Sequence, residues 1–118
     1  MPRLASDIFV SGLIRQINIA GGTAMIVRKG SPEAGAIFIS QWLPEERAYI
    51  LFEPALMLDE AMSPIGGRLF RQLDGRFCEA ELSERIDREA SFDPDYWLLE
   101  IEHCSQPVDT MITIIKEV

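Results

Sequence analysis

Three short stretches of the chain are apolar on both sides of an extended backbone, and that pattern limits the fold more than any other feature. Over 23–29, Ala24 and Ile26 alternate with Met25 and Val27. Over 36–42, Ile37 and Ile39 alternate with Phe38 and Trp42, and over 48–53, Ile50 and Phe52 alternate with Tyr49 and Leu51. Successive side chains of a strand point to opposite faces, so a sheet with one wet face alternates apolar with polar. These strands do not, and they belong in a sheet covered on both sides.

Two amphipathic segments can supply cover. The first opens at Ser6, read as an N-cap, with Asp7 in the first turn. Val10, Leu13, Ile14 and Ile17 line one side, and Gly21-Gly22 stops the helix. The second spans Glu79 to Ala90, with Leu82 and Ile86 as its buried stripe and Glu81–Arg85 and Glu84–Arg88 as i,i+4 pairs. Phe92-Asp93-Pro94 ends it, because the residue before proline is pushed out of the helical region. Further short strands are predicted over 68–73 and 96–102. A helical turn is predicted over 55–62, with Met57 and Met62 as core filler. The tail, 104–118, is either an extra strand or loosely attached. The expected fold is α+β, a single domain over 1–118. It has two layers: a mostly antiparallel sheet of five or six strands with two helices on one face, in the order α-β-β-β-β-α-β. Two helices on one face leave the other bare, so residues 55–66, the tail or a second copy must cover it, and a homodimer is expected.

Charge is unevenly spread. The chain carries a net charge of -8. Residues 60–118 hold 13 acidic and 6 basic side chains, net -7, and nine of those acids fall within 79–102. Such a surface repels phosphate backbones, so no nucleic-acid partner is expected, and a basic protein partner is the complementary choice. Two cysteines are too few for a disulfide framework. No secretory leader is expected, since Asp7 falls where an apolar run would begin. The stretch from Ile8 to Ala20 contains Arg15, Gln16 and Asn18, so no membrane association is expected and the location is read as cytoplasmic.

Several separated segments carry a family likeness. They are SDIFVSGLIR at 6–15, the Ala20-Gly21-Gly22 break, RKGSPEAGAIFI at 28–39, and FDPDYWLLEIE at 92–102 after a helix holding Arg85 and Arg88. Together they resemble the short bacterial proteins of domain of unknown function family 1491, over most of residues 4–102. The resemblance implies a single-domain bacterial protein and carries no catalytic residue across.

Three constellations invite chemistry. On strand 96–102, Glu100 and Glu102 share a face and could hold a hard cation. Asp93 and Asp95 lie at the other end of that strand, roughly 20 Å away, so four carboxylates do not make one site. The plainer reading is local, with Asp93 satisfying turn amides and the glutamates pairing with arginine. Cys78, His103 and Cys104 lack the four ligands and the spacing of a zinc site, and neighbours on a strand face opposite ways. Arg28 and Lys29, before Gly30-Ser31, could hold an anion on a glycine turn, but they lack the phosphate-loop spacing and do not open a helix. No acid, base and nucleophile converge, and no cofactor is expected. The preferred reading is a non-enzymatic binding or regulatory module working through protein–protein contact. The alternative is a small metal-dependent hydrolase using Glu100 and Glu102.

Overall fold

The computed structural model describes residues 3–56 and 64–116. Along the chain run α1 (Ser6–Ile19), β1 (Thr23–Arg28), β2 (Ala36–Leu43), β3 (Ala48–Pro54), β4 (Leu69–Gln72), α2 (Glu79–Ala90), β5 (Tyr96–His103) and β6 (Thr113–Lys116). Single 3-10 turns occupy Ile65–Gly67 and Val108–Thr110. The fold is α+β, with two helices and a six-stranded, mostly antiparallel sheet in the order β1-β5-β2-β3-β4-β6. The tail supplies the sixth strand, and Val108, Met111 and Ile112 ahead of it are buried. Most of the helical turn expected over 55–62, including Met57 and Met62, lies outside the described residues.

Consecutive strands do not all pair. β2, β3 and β4 form an antiparallel meander, but β5 returns through α2 to lie parallel to β2 and antiparallel to β1. β6 runs parallel to β4. The expected meander is therefore broken between β1 and β2. Burial accounts for the insertion. Tyr96, Trp97, Leu99 and Ile101 of β5 are all buried, which needs strands on both sides, whereas β1 is exposed along most of its length and takes the edge.

The helices do not share a face. Phe9, Val10, Leu13 and Ile17 of α1 pack on the side carrying Ile37, Ile39, Phe52 and Leu99. Leu82 and Ile86 of α2 pack on the opposite side, against Phe38, Leu51 and Tyr96. Alternate residues of one strand thus feed two separate cores. The two-layer expectation was wrong here. A sheet that is apolar on both faces is served by one helix on each, and no second copy is required to cover a whole face.

Trp97 is the largest side chain of the α1 core, at 2% exposure. Its Nε1–H donates to the Ser31 carbonyl at 2.9 Å. A Cβ at Gly30 or at Gly35 would sit 2.8 Å from Trp97 Cδ1, closer than real Cβ contacts come, so the ring is received by two glycines of the β1–β2 loop. The start of α1 is tied to the same loop. Ala5, not Ser6, is the N-cap. The buried Ser6 hydroxyl instead donates to the Gly35 carbonyl at 2.6 Å and accepts from Arg68 Nη2 at 2.9 Å. Replacing Trp97 with alanine should therefore cost about 3–5 kcal/mol of folding free energy, read from urea denaturation. A variant with the wild-type midpoint and slope would contradict this packing.

Candidate functional site

α2 is held on its face of the sheet by one buried carboxylate. Glu53, near the end of β3, is 3% exposed. Arg71 stands opposite it on β4, with Nη2 2.5 Å from Oε1. Arg85 of α2 reaches the same carboxylate with Nη2 at 3.0 Å and Nε at 3.2 Å. Arg85 also pairs with Glu89 at 3.4 Å. Glu81 does not make the expected pair with Arg85. Its carboxylate accepts the Cys78 backbone N–H at 3.0 Å, which caps the helix and holds the Glu81 carboxyl below the usual range.

Seated there, α2 leaves a groove between itself and the strands toward β1. Its volume is about 230 Å³. Ser40 of β2, Tyr49 of β3 and Glu100 of β5 line the sheet side; Glu79, Ile86 and Asp87 line the helix side. The register explains the convergence. Ser40 lies between Leu51 on β3 and Glu100 on β5, and Tyr49 follows two residues from Leu51 on the same face. The Ser40 hydroxyl is buried and has no hydrogen-bond partner among the described residues. The Tyr49 phenol is pushed above its ordinary value, first by burial, then by the charges of Glu100 and Glu79, and by its hydrogen bond to Glu100. Trp42 packs on Tyr49 with ring centroids 4.8 Å apart. Val27 of β1, 53% exposed, lines the groove from the strand edge.

Of the carboxylates singled out from the sequence, the groove gathers Glu100, while Glu102 is exposed and acts on Tyr49 by charge alone. Asp93, Asp95 and Arg28 make contacts within the fold. Asp93 Oδ1 accepts the Asp95 N–H at 3.1 Å, a turn bond of the expected kind. Asp95 accepts from the Ser31 hydroxyl at 2.7 Å and the Ser31 N–H at 2.8 Å, and these bonds, with Arg28 nearby, hold its carboxyl below the usual range. Arg28 donates to the Pro94 carbonyl at 3.0 Å and lies 4.0 Å above the Tyr96 ring. The anion turn read from Arg28 and Ser31 is thus engaged by the Asp93–Asp95 turn, and Lys29 is exposed beside it. Cys104 donates to the Gln106 carbonyl, and Cys78 is an exposed thiol at the start of α2. Among the described residues, no three of His, Cys, Asp and Glu converge to hold a metal ion, so Glu100 and Glu102 find no third ligand there. Ser40 and Tyr49 were missed. The signal for Ser40 was a small polar residue, followed by Gln41, inside a strand otherwise apolar on both faces.

The family model described as protein of unknown function, DUF1491, matches residues 4–108. A protein from A. tumefaciens, solved in solution, is 34% identical, with a TM-score of 0.80, over 99% of this chain and 98% of that one. A crystal structure of a DUF1491 family protein from Caulobacter crescentus CB15 is 29% identical, with a TM-score of 0.74, over 95% of this chain and 99% of that one. An NMR structure of a DUF1491 family protein from the same organism is 30% identical, with a TM-score of 0.73, over 100% of both chains. No curated protein matches.

The electrostatics of the groove can be read directly from Tyr49. In a spectrophotometric titration Tyr49 should ionise above the ordinary tyrosine value of about 10. Glu100→Gln removes a negative charge beside the phenol, so the midpoint should fall toward the ordinary value while burial keeps it raised. An unchanged midpoint in Glu100→Gln would separate the two side chains.

Proposed function

The chain belongs to the DUF1491 family, and from its charge and its groove we propose that it is a non-enzymatic binding module that docks a basic protein partner on the acidic face beside α2. The observation that carries this reading is the groove itself. A half-buried carboxylate, two hydroxyls and aliphatic walls lie under a helix whose outer surface bears Glu79, Glu81, Glu84 and Asp87, all exposed. A concave, partly apolar site ringed by one sign of charge favours a partner of the opposite sign and speeds its encounter. The groove is lined by three carboxylates, Glu79, Asp87 and Glu100, with a phenol of raised pKa and a buried serine, a set complementary to a cationic group. Two free thiols are in keeping with a cytoplasmic setting.

Self-association is the second element of the proposal. Among the described residues β1 pairs with β5 alone, leaving its other edge unpaired there, and Met25, Ile26 and Val27 are exposed along it. An open apolar edge is a template for strand addition. Antiparallel pairing with a second copy would bring the Lys29 end of one β1 to the Thr23 end of the other, next to Glu102 at the end of β5.

Two measurements test these readings. A lysine-rich peptide should bind the protein with an affinity that falls as salt rises. Reversing Glu84 and Asp87 together to lysine should weaken it by about tenfold or more, whereas Asp7→Lys on α1 should not. Equal binding by both variants would remove the acidic face from the account. Light scattering across a dilution series should reveal a dimer that Val27→Lys dissociates. A stable 13.3 kDa species at all concentrations would rule the dimer out.

A further inference from the structure

We propose that the floor of the groove, where Ser40, Tyr49 and Glu100 meet, is a pocket for a primary ammonium on an unbranched aliphatic stem, that is, the side chain of a partner lysine. The inference rests on the reading of the acidic face as a docking surface and names what that face recognises.

Four observations carry it. Ser40 is 1% exposed, yet its hydroxyl has no partner among the described residues. Buried hydroxyls are nearly always hydrogen-bonded, so an orphaned one lining a cavity is free to bond an atom seated there. Glu100 and Tyr49 then complete a set of oxygens: the adjacent strand places Glu100 beside Ser40 on the same face, and Tyr49, two residues from the Leu51 that pairs with Ser40, lines the same groove. An ammonium has three donors and no acceptor, and hydroxyl, phenol and carboxylate oxygens can each take one. The walls are aliphatic, with Leu82 and Ile86 on the helix and Leu98 on the sheet, as a tetramethylene stem requires. Finally, a volume of about 230 Å³ falls below the range of sites for drug-sized molecules and suits one extended side chain.

Arginine fits less well. A guanidinium is a planar fork matched to a bidentate carboxylate, whereas these three oxygens come from three different strands. A hard divalent cation fits less well again, since it takes six or more oxygen ligands and Glu100 is the one carboxylate among the floor oxygens.

The test compares three synthetic peptides of one sequence: lysine-rich, its arginine-substituted counterpart of equal charge, and its Nε-acetylated counterpart. Calorimetry should show the lysine peptide binding about tenfold tighter than the arginine peptide, and the acetylated one not at all. Ser40→Ala should fold, with a melting temperature equal to or above wild type, and should weaken lysine binding by about tenfold. Glu100→Gln should erase the preference for lysine over arginine. Equal binding of lysine and arginine peptides, or wild-type affinity in Ser40→Ala, would overturn the pocket. If those results came with the loss of affinity expected of the Glu84 and Asp87 reversals, the docking face would stand without its lysine pocket. If no basic peptide bound at physiological salt, both readings would fall.

Discussion

The position of α2 depends on Glu53. A carboxylate at 3% exposure is tolerated only because Arg71 from the neighbouring strand and Arg85 from the helix both close on it. Taking a charge out of water is costly, and a buried ion pair is stabilising only when its geometry and remaining hydrogen bonds are good. Loss of one partner from such a pair typically costs about 3–5 kcal/mol, so the clamp matters more through what it forbids than through what it adds. It forbids α2 from sliding along the sheet. Leu82 and Ile86 then fall on Phe38, Leu51 and Tyr96, and the groove opens on the side away from the clamp.

The two faces of the sheet are thereby used differently. On the α1 face Trp97 is received by Gly30 and Gly35, and Ser6 binds the same loop. The α2 face is closed over Phe38 and Leu51 but open around Ser40, Tyr49 and Glu100. One twelve-residue helix cannot span six strands, so an apolar face under a single helix keeps an uncovered part. Here that part carries a hydroxyl with no partner among the described residues and a perturbed phenol rather than plain hydrophobic surface. Perturbed titratable groups in a concavity are a common mark of a binding site.

Much of the local structure was legible in the sequence, because periodicity and terminators are local. Glu79 to Ala90 reads as a helix from its apolar stripe and the following Phe92-Asp93-Pro94, and Trp97 reads as core from the alternation along its strand. Long-range placement was not legible. Alternation says which residues of one strand share a face, but not which helix that face receives, so Ile37 and Phe38 looked alike until α1 and α2 were assigned to opposite sides. The insertion of β5 between β1 and β2 has the same cause, since strand order follows from competition for burial among distant segments. Arg85 shows the limit within one helix. Its spacing from Glu81 suggested a surface pair, but a buried carboxylate 32 residues away competed better, and Glu81 was left to cap Cys78. The candidate site was legible only in Glu100. Its partners Ser40 and Tyr49 lie on other strands, and no local pattern links the three.

The central claim is that the open part of the α2 face is where this molecule meets a basic partner. The most direct measurement is amide chemical-shift mapping on the isotopically labelled protein during titration with a lysine-rich peptide. The account predicts that the largest shifts fall on Ser40, Tyr49, Leu98 to Glu100 and the Leu82 to Asp87 stretch of α2, with α1 and β6 unmoved. Shifts centred on α1 or β6, or a uniform small drift with no focus, would contradict it.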